Sequence, residues 1–436
     1  MPRTDAARLV AFDVLRAVGE QDAYANLQLS RLLRERGISG RDAALATELV
    51  GGTLRGQGTY DDVLDRLVKG TLQADVRDAL RLGTHQLLAM RVPTHAAVAT
   101  TVDLVKERIG HRPAGLVNAV LRKVSAQDLE AWTSGRSLAA RTSHPQWVID
   151  ALAEALGRPE ELEDLLAADN ARPEVVLVAR PGLATTEELG GSPHPASPYA
   201  AVLQGGDPGA LAAVREGRAG VQDAGSQLVA LLLAAAELGG EDERWLDLCA
   251  GPGGKAALLA ALAAQRGAKV LANERQPHRA QLVAQGVRAA GSGLLGVIAG
   301  DGTRPAWAPG SFDCVLVDAP CSGLGALRRR PESRWRRRPE DLAELVPLQV
   351  ALLGSALDAV RPGGLVLYAT CSPVLAETAG VVATVLEECP GATLVPLTEP
   401  EGVVDAASAH LPGALQLWPH RHATDAMFAA LLRRSR

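Results

Sequence analysis

Leu246-Asp247-Leu248-Cys249-Ala250-Gly251-Pro252-Gly253-Gly254-Lys255 reads as a short apolar strand running into a glycine-rich turn and then into a helix. Glycines let the backbone pass close to a ligand and tolerate positive φ, and the start of a helix presents unpaired N–H donors. Two common nucleotide loops are excluded. A P-loop needs glycine at 249 and Ser or Thr at 256, where Cys249 and Ala256 stand, and the dinucleotide fingerprint GxGxxG fails at the same Ala256.

Outward from this loop, strands and helices alternate. WLDLC (245–249), KVLANE (269–274), GVIAGD (296–301), CVLVD (314–318) and LVLYATC (365–371) are short apolar runs, with helical segments at Gln276–Ala290, Pro339–Val360 and Leu375–Glu388. That order predicts a parallel sheet with helices on both faces, and such sheets bind ligands at the carboxyl ends of their strands. Glu274 closes the second run, 23 residues after Gly251, where a carboxylate can accept from both hydroxyls of a ribose. Asp301 closes the third, placed to accept from an adenine amino group. Solvated loop acids beside a tight turn are the bland reading of any one of these features; three on successive strand ends favour a nucleoside-type cofactor.

The fourth run ends in Asp318-Ala319-Pro320-Cys321-Ser322-Gly323 and the fifth in Ala369-Thr370-Cys371-Ser372-Pro373. Two cysteines on adjacent strand ends face one pocket, whereas Cys314 and Cys389 read as small buried hydrophobes and Cys249 as part of the turn. A thiolate at such a place suits methylation of an unactivated pyrimidine carbon. Addition at C6 of cytosine makes C5 enamine-like, C5 takes the methyl group, a base removes the C5 proton, and the thiol is eliminated. The thiol must be activated by nearby positive charge or a helix start. Lys255 supplies charge near the base or the cofactor carboxylate, and Asp318 can bond the cytosine amino group or protonated N3.

The remaining sequence bounds the protein around this domain. At 436 residues two or three domains are expected. Residues 1–135 read as an all-helical bundle of six or seven helices, and 136–215 as a small α+β linker subdomain with a loosely structured Gly/Pro/Ser-rich insertion. Residues 216–436 form the catalytic domain. No Cys/His cluster has zinc spacing, and five cysteines argue against a disulfide framework, so no metal is expected. The N-terminal stretch lacks a signal-type apolar core and no run of eighteen uncharged apolar residues occurs, so a cytoplasmic protein with no membrane partner is expected. Net charge is −5, but seven of the eleven residues from Arg328 to Arg338 are arginine. A charge run is usually a solvated face. Directly after a cysteine motif, Arg328, Arg329, Arg330, Arg334, Arg336 and Arg337 are expected to grip RNA phosphates, with Trp335 stacking on a base. The base must be extruded for C6 to be reached, so loop or single-stranded RNA is the expected target.

These motifs resemble the bacterial ribosomal RNA small-subunit methyltransferase B family (RsmB/Sun/Fmu-like) among the RNA 5-methylcytosine methyltransferases, over nearly the whole chain. CAGPGGK (249–255) is similar to the family's cofactor loop, DAPCSG (318–323) to its first cysteine motif and TCS (370–372) to its second. VQDAGSQLVALLL (221–233) resembles the segment that introduces the catalytic domain, and YANLQLSRLL (24–33) and GLVNAVLRKV (115–124) resemble a NusB-type RNA-binding domain.

The resemblance implies a multidomain chain: a NusB-like all-α bundle, then a Rossmann-like α/β class I methyltransferase domain. It also implies a monomer using S-adenosylmethionine to methylate C5 of one cytosine in 16S rRNA. By the same resemblance Cys371 is the nucleophile and Cys321 assists product release, whereas DNA cytosine methyltransferases use a Pro-Cys thiol like Cys321. Cofactor contacts would come from Cys249, Ala250, Gly251, Pro252, Gly253, Gly254, Lys255, Glu274, Asp301 and Asp318. Departures from the family pattern are Gly251 where Ala is usual, Glu274 where Asp is common, Glu377-Thr378 in place of Glu-Asn, and Asp425-Ala426 in place of Asp-Gly. The alternatives are a non-catalytic RNA-binding module, which has no need of two strand-end cysteines, the same chemistry on transfer RNA, and a small-molecule methyltransferase.

Overall fold

A computed structural model of the chain describes residues 4–90 and 92–435, which divide into two compact units. The first comprises Met1–Asp150, Leu166–Arg172 and Leu327–Arg337. Among the described residues eight helices lie between Ala6 and Thr133 and a ninth spans Leu138–Thr142, more than the spacing suggested. Its first helix, Ala6–Gln21, starts where the Asp5 side chain accepts from Arg8 N–H, and stops at Asp22 in the left-handed region (φ 51°). Val10, Val14, Leu49, Leu64, Leu80, Leu104 and Leu121 meet in its core, the i/i+3/i+4 stripes of amphipathic helices turned inward.

The arginine run requires a correction here. Arg334, expected on an RNA-facing row, is fully buried. Its guanidinium donates to Asn170 Oδ1 (2.7 Å) and to the carbonyls of Ser143 (3.1 Å) and Asp169 (3.3 Å). Arg336 donates to the Ala23 carbonyl (2.8 Å), and Glu332 accepts from Ala25 N–H (3.1 Å). Trp335 is half-buried, with one edge of its ring against Gly58. Fixed oxygen acceptors inside the bundle take up both terminal nitrogens of the planar Arg334 cation. Arg328 and Arg337 are half-buried, while Arg329 and Arg330 remain exposed.

The second unit contains two sheets. The smaller is antiparallel, in the order β2-β3-β1-β4, from β1 (Val175–Ala179), β2 (Ser192–His194), β3 (Ser197–Leu203) and β4 (Ala219–Val221). The insertion expected to be loosely structured therefore carries a β2–β3 hairpin at its centre. Its prolines fall at Pro193 on the edge strand, at Pro195 in the turn and at Pro198 near the start of β3, where a missing donor is tolerated.

The larger sheet comprises β5 (Arg244–Asp247), β6 (Lys269–Glu274), β7 (Leu294–Ala299), β8 (Phe312–Asp318), β9 (Val360–Thr370), β10 (Ala392–Val395), β11 (Leu415–Gln416) and β12 (Phe428–Arg434). Its order is β10-β12-β9-β8-β5-β6-β7, with β11 on β12. β7-β6-β5-β8-β9 is parallel, as the alternation predicted. β12 enters antiparallel between β9 and β10, so the sheet is mixed. Side chains alternate between two cores. Cys314, Leu316, Leu365 and Leu367 face the helices Ala224–Ala235 and Gly254–Arg266. Val315, Val317, Val366 and Tyr368 face Leu342–Ala359 and Ala379–Glu388. Burial on both faces is why these strands read as continuous apolar runs. Leu342–Ala359 is apolar enough by composition to cross a bilayer, yet it carries Glu344 and Asp358 and sets Leu352, Leu353, Ala356 and Leu357 into that core. Strand order reverses between β5 and β8, which opens a crevice at their carboxyl ends.

Candidate active site

β5 delivers Asp247 to the crevice, and the glycine loop follows. Leu248 N–H donates to the Leu316 carbonyl (2.9 Å) and Ala250 N–H to the Asn273 carbonyl (2.8 Å), which pins the loop to β8 and β6. Gly253 has φ 114°, and a Cβ there would stand 3.1 Å from the Val283 backbone, so only glycine lets the chain turn into the helix Gly254–Arg266.

Four acids surround this loop. Asp247 is fully buried, and among the described residues neither carboxylate oxygen accepts a hydrogen bond of normal geometry. Burial, and then the Asp318 charge, push its carboxyl up to about 8 against the pull of Lys255. Glu274 is also buried; its Oε1 accepts from Gln276 N–H (2.9 Å), and Arg279 stands 3.6 Å from Oε2. Asp301 lies two residues past β7 and accepts from the Thr303 N–H (3.0 Å) and hydroxyl (2.8 Å), which hold its carboxyl below the usual range. Asp318 ends β8, and its Oδ2 meets Lys255 Nζ at 2.9 Å. Burial works against the Lys255 charge, but Asp318, with Cys371 and Asp247 beside it, holds the ammonium above its ordinary value. Gln222 presents a buried Oε1, without a partner among the described residues, next to Gly254.

The two cysteine motifs meet at the ends of β8 and β9. Cys321 Sγ lies 3.5 Å from Cys371 Sγ. The sulfur–sulfur hydrogen bond, then burial, raise the Cys321 thiol well above its ordinary value. Burial does the same to Cys249 in the loop and to Cys314 within β8, so both stay protonated. Gly325 N–H donates to the Cys371 carbonyl (2.9 Å), and Ala426 N–H to the Gly325 carbonyl (2.8 Å). Asp425 N–H reaches Asp223 Oδ1 (3.1 Å), the cap of the helix Ala224–Ala235. The Asp425-Ala426 edge, odd in sequence, therefore closes onto the cysteine turn by backbone bonds that ask little of the side chain at 426.

Of the residues expected at the site, Lys255, Asp318, Cys321 and Cys371 share one cluster, with Glu274 packed on Gly251 and Asp301 set apart on its own turn. The arginine segment belongs to the helical unit. Asp247, Gln222 and Gln349 join the site without having been given a role from the sequence, and Glu377, known there only as a departure beside Thr378, joins it as well. Asp247 ends a strand in the same way as Glu274 and Asp318, and that rule alone would have selected it. Among the described residues no three His, Cys, Asp or Glu side chains are arranged to hold a metal ion. A buried carboxylate without a hydrogen bond of normal geometry among the described residues, at the start of a glycine loop and with further acceptors at two neighbouring strand ends, fits a cationic nucleoside carrying a ribose diol.

Comparison with known proteins adds to this geometry. Residues 235–433 match the family described as 16S rRNA methyltransferase RsmB/F, and residues 5–126 match the NusB family. A protein of Mycobacterium tuberculosis (strain H37Rv) bearing a provisional methyltransferase name is 52% identical over 450 residues, covering 99% of this chain and 97% of that protein. A ribosomal RNA small subunit methyltransferase B of Salmonella heidelberg is 33% identical over 428 residues, covering 95% and 96%. Among solved structures, one titled PH0851 matches in fold with a TM-score of 0.82 at 24% identity, covering 100% and 99% of the two chains.

Proposed function

Because the chain belongs to the 16S rRNA methyltransferase RsmB/F family, we propose that it methylates C5 of a cytosine in 16S rRNA through a covalent cysteine–C6 adduct. The observation that carries this reading is the pair of thiols 3.5 Å apart beside the Lys255–Asp318 ion pair, at the point where the strand order reverses. When bound, S-adenosylmethionine supplies a sulfonium methyl group that carbon nucleophiles attack. Asp247 would hold its ammonium, Glu274 its ribose diol and Asp301 its adenine, over the loop from Cys249 to Lys255.

The protein's own groups divide the remaining work. Cys371 is the nucleophile by its likeness to the family's second cysteine motif, and the Lys255 ammonium is the positive charge that acts on it. The Cys371 thiolate adds to C6, N3 takes a proton from solvent as the ring gains the electron pair, and the Asp318 carboxylate accepts from the amino group and from N3–H, which leaves C5 enamine-like and able to take the methyl group. Once the Cys371 sulfur is bonded to carbon, it no longer holds the Cys321 proton. Cys321 then gives its proton to solvent, its thiolate takes the C5 proton, the C5–H electron pair re-forms the C5–C6 double bond as N3 returns its proton, and the Cys371 sulfur leaves as thiolate. Exposed Arg329 and Arg330 are the phosphate contacts this reading retains, and a cytoplasmic enzyme acting as a monomer is its natural setting.

Tritium transfer from labelled cofactor to 16S rRNA tests the proposal. Cys371→Ala is expected to abolish transfer, whereas Cys321→Ala is expected to stall as a protein–RNA adduct on a denaturing gel. Methylation by Cys371→Ala at the wild-type rate would overturn the mechanism. Transfer to transfer RNA in place of 16S rRNA would overturn the substrate.

A further inference from the structure

The two cysteine-bearing turns share one buried anion. Glu377 is fully buried, and its carboxylate is met by four donors from three elements. Oε1 accepts from Ser322 N–H (2.7 Å) and Gln349 Nε2 (3.0 Å), and Oε2 accepts from the hydroxyls of Ser322 (2.5 Å) and Ser372 (2.5 Å). The two serine hydroxyls lie 3.0 Å apart. Gln349, on the helix Leu342–Ala359, also donates to the Pro320 carbonyl (2.9 Å). The Glu377 carbonyl accepts from the buried Tyr368 hydroxyl (2.7 Å). Each serine is the residue next to a cysteine, Ser322 after Cys321 and Ser372 after Cys371.

We infer that Glu377 is a positioning residue: it clasps the turn after β8 to the turn after β9 and so sets the spacing of the two thiols. A buried carboxylate is costly unless its lone pairs are met, and charge-assisted bonds to four donors over-determine where those donors sit. Main chain and side chain of Ser322 both bind it, which leaves the Cys321 turn no freedom to rotate away. Glutamine is a poor substitute, because its amide NH2 would confront N–H and O–H groups that need an acceptor. The inference rests on the two-cysteine reading above only for its effect on catalysis; the clasp itself is geometric.

Disulfide formation in the full-length protein reads the thiol spacing directly, without methyl transfer. Diamide takes two electrons and two protons from the paired thiols and is itself reduced to the hydrazine, and the Cys321–Cys371 peptide is quantified by mass spectrometry. Disulfides tolerate little error in geometry, so Glu377→Gln is expected to form this bond about tenfold more slowly than wild type. Its affinity for S-adenosylmethionine should stay within about twofold, and kcat should fall with KM for the cofactor little changed. Glu377→Asp, which keeps the charge, should recover part of both. Ser372→Ala removes one donor and spares the carboxylate. It serves if Glu377→Gln does not fold, with a smaller loss of rate. An unchanged disulfide rate in either folded variant would overturn the clasp. A slowed disulfide rate beside methyl transfer that never needed Cys371 would overturn the mechanism and uphold the clasp.

Discussion

Gly251 and Glu274, two separate departures from the family pattern in the sequence, are one feature in space. A Cβ on Gly251 would stand 1.9 Å from Glu274 Oε2 and 2.9 Å from Arg279 Nη2. The longer acid at 274 occupies the room that a methyl group at 251 would take, and a shorter acid would leave that room free. Gly251→Ala is therefore expected to displace the Glu274 carboxylate from where a ribose would meet it, with little loss of fold because the atom struck is a side-chain end. We expect cofactor affinity to fall by about tenfold, or about 1.4 kcal/mol. In a Glu274→Asp background the same substitution should cost much less, since residues in contact are not additive. Calorimetric titration of the four proteins checks this, and equal losses in both backgrounds would show that the two positions are independent.

At the scale of elements, the parallel strands were legible because the central ones, β5, β8 and β9, are buried on both faces, and their terminal acids and cysteines follow from where α/β sheets bind ligands. β12 was not: Phe428–Leu432 is as apolar as β8, but nothing in a continuous run shows direction, and its antiparallel entry depends on pairing with β9. Glu377 was illegible for a similar reason. Its partners Ser322 and Ser372 lie 55 and 5 residues away in the chain and converge only when β8 and β9 are neighbours. The arginine run misled because composition does not distinguish an arginine that grips phosphate from one that grips carbonyls. The segment divides accordingly. Arg334→Ala leaves the Ser143 and Asp169 carbonyls and Asn170 without their donor, and should destabilise the helical unit by about 2–4 kcal/mol in urea unfolding. Arg334→Met, which fills the space and removes the buried charge, should cost less. Arg329→Glu with Arg330→Glu should leave the unfolding midpoint near wild type while weakening RNA binding and flattening its dependence on salt. The reverse pattern would return Arg334 to the RNA-facing row.

For the whole molecule, a net charge of −5 means that ionisation is already unfavourable in the compact state, and one buried group makes this acute. Asp247 ionises near 3.8 when exposed, and in the fold its carboxyl is raised to about 8. Between those values the folded chain holds a proton that the unfolded chain has lost, so stability falls as pH rises through that window. Below about 4 both states are protonated, and the Asp247 contribution vanishes. Asp247→Asn removes the titration and keeps the shape. It should match wild type at low pH and exceed it progressively towards pH 8, by an amount on the order of 3–5 kcal/mol. Its effect on ligand binding should have the opposite sign, because the ionised carboxylate is what a cationic cofactor meets in the glycine cradle. The variant that is more stable at pH 8 should bind S-adenosylmethionine more weakly there, a trade of stability for function at one buried atom pair. Urea unfolding between pH 5 and 9, with cofactor titration at pH 8, measures both. Parallel pH profiles for wild type and Asp247→Asn would mean that the acid is not strained in the free protein, and that the cradle is not built around its charge.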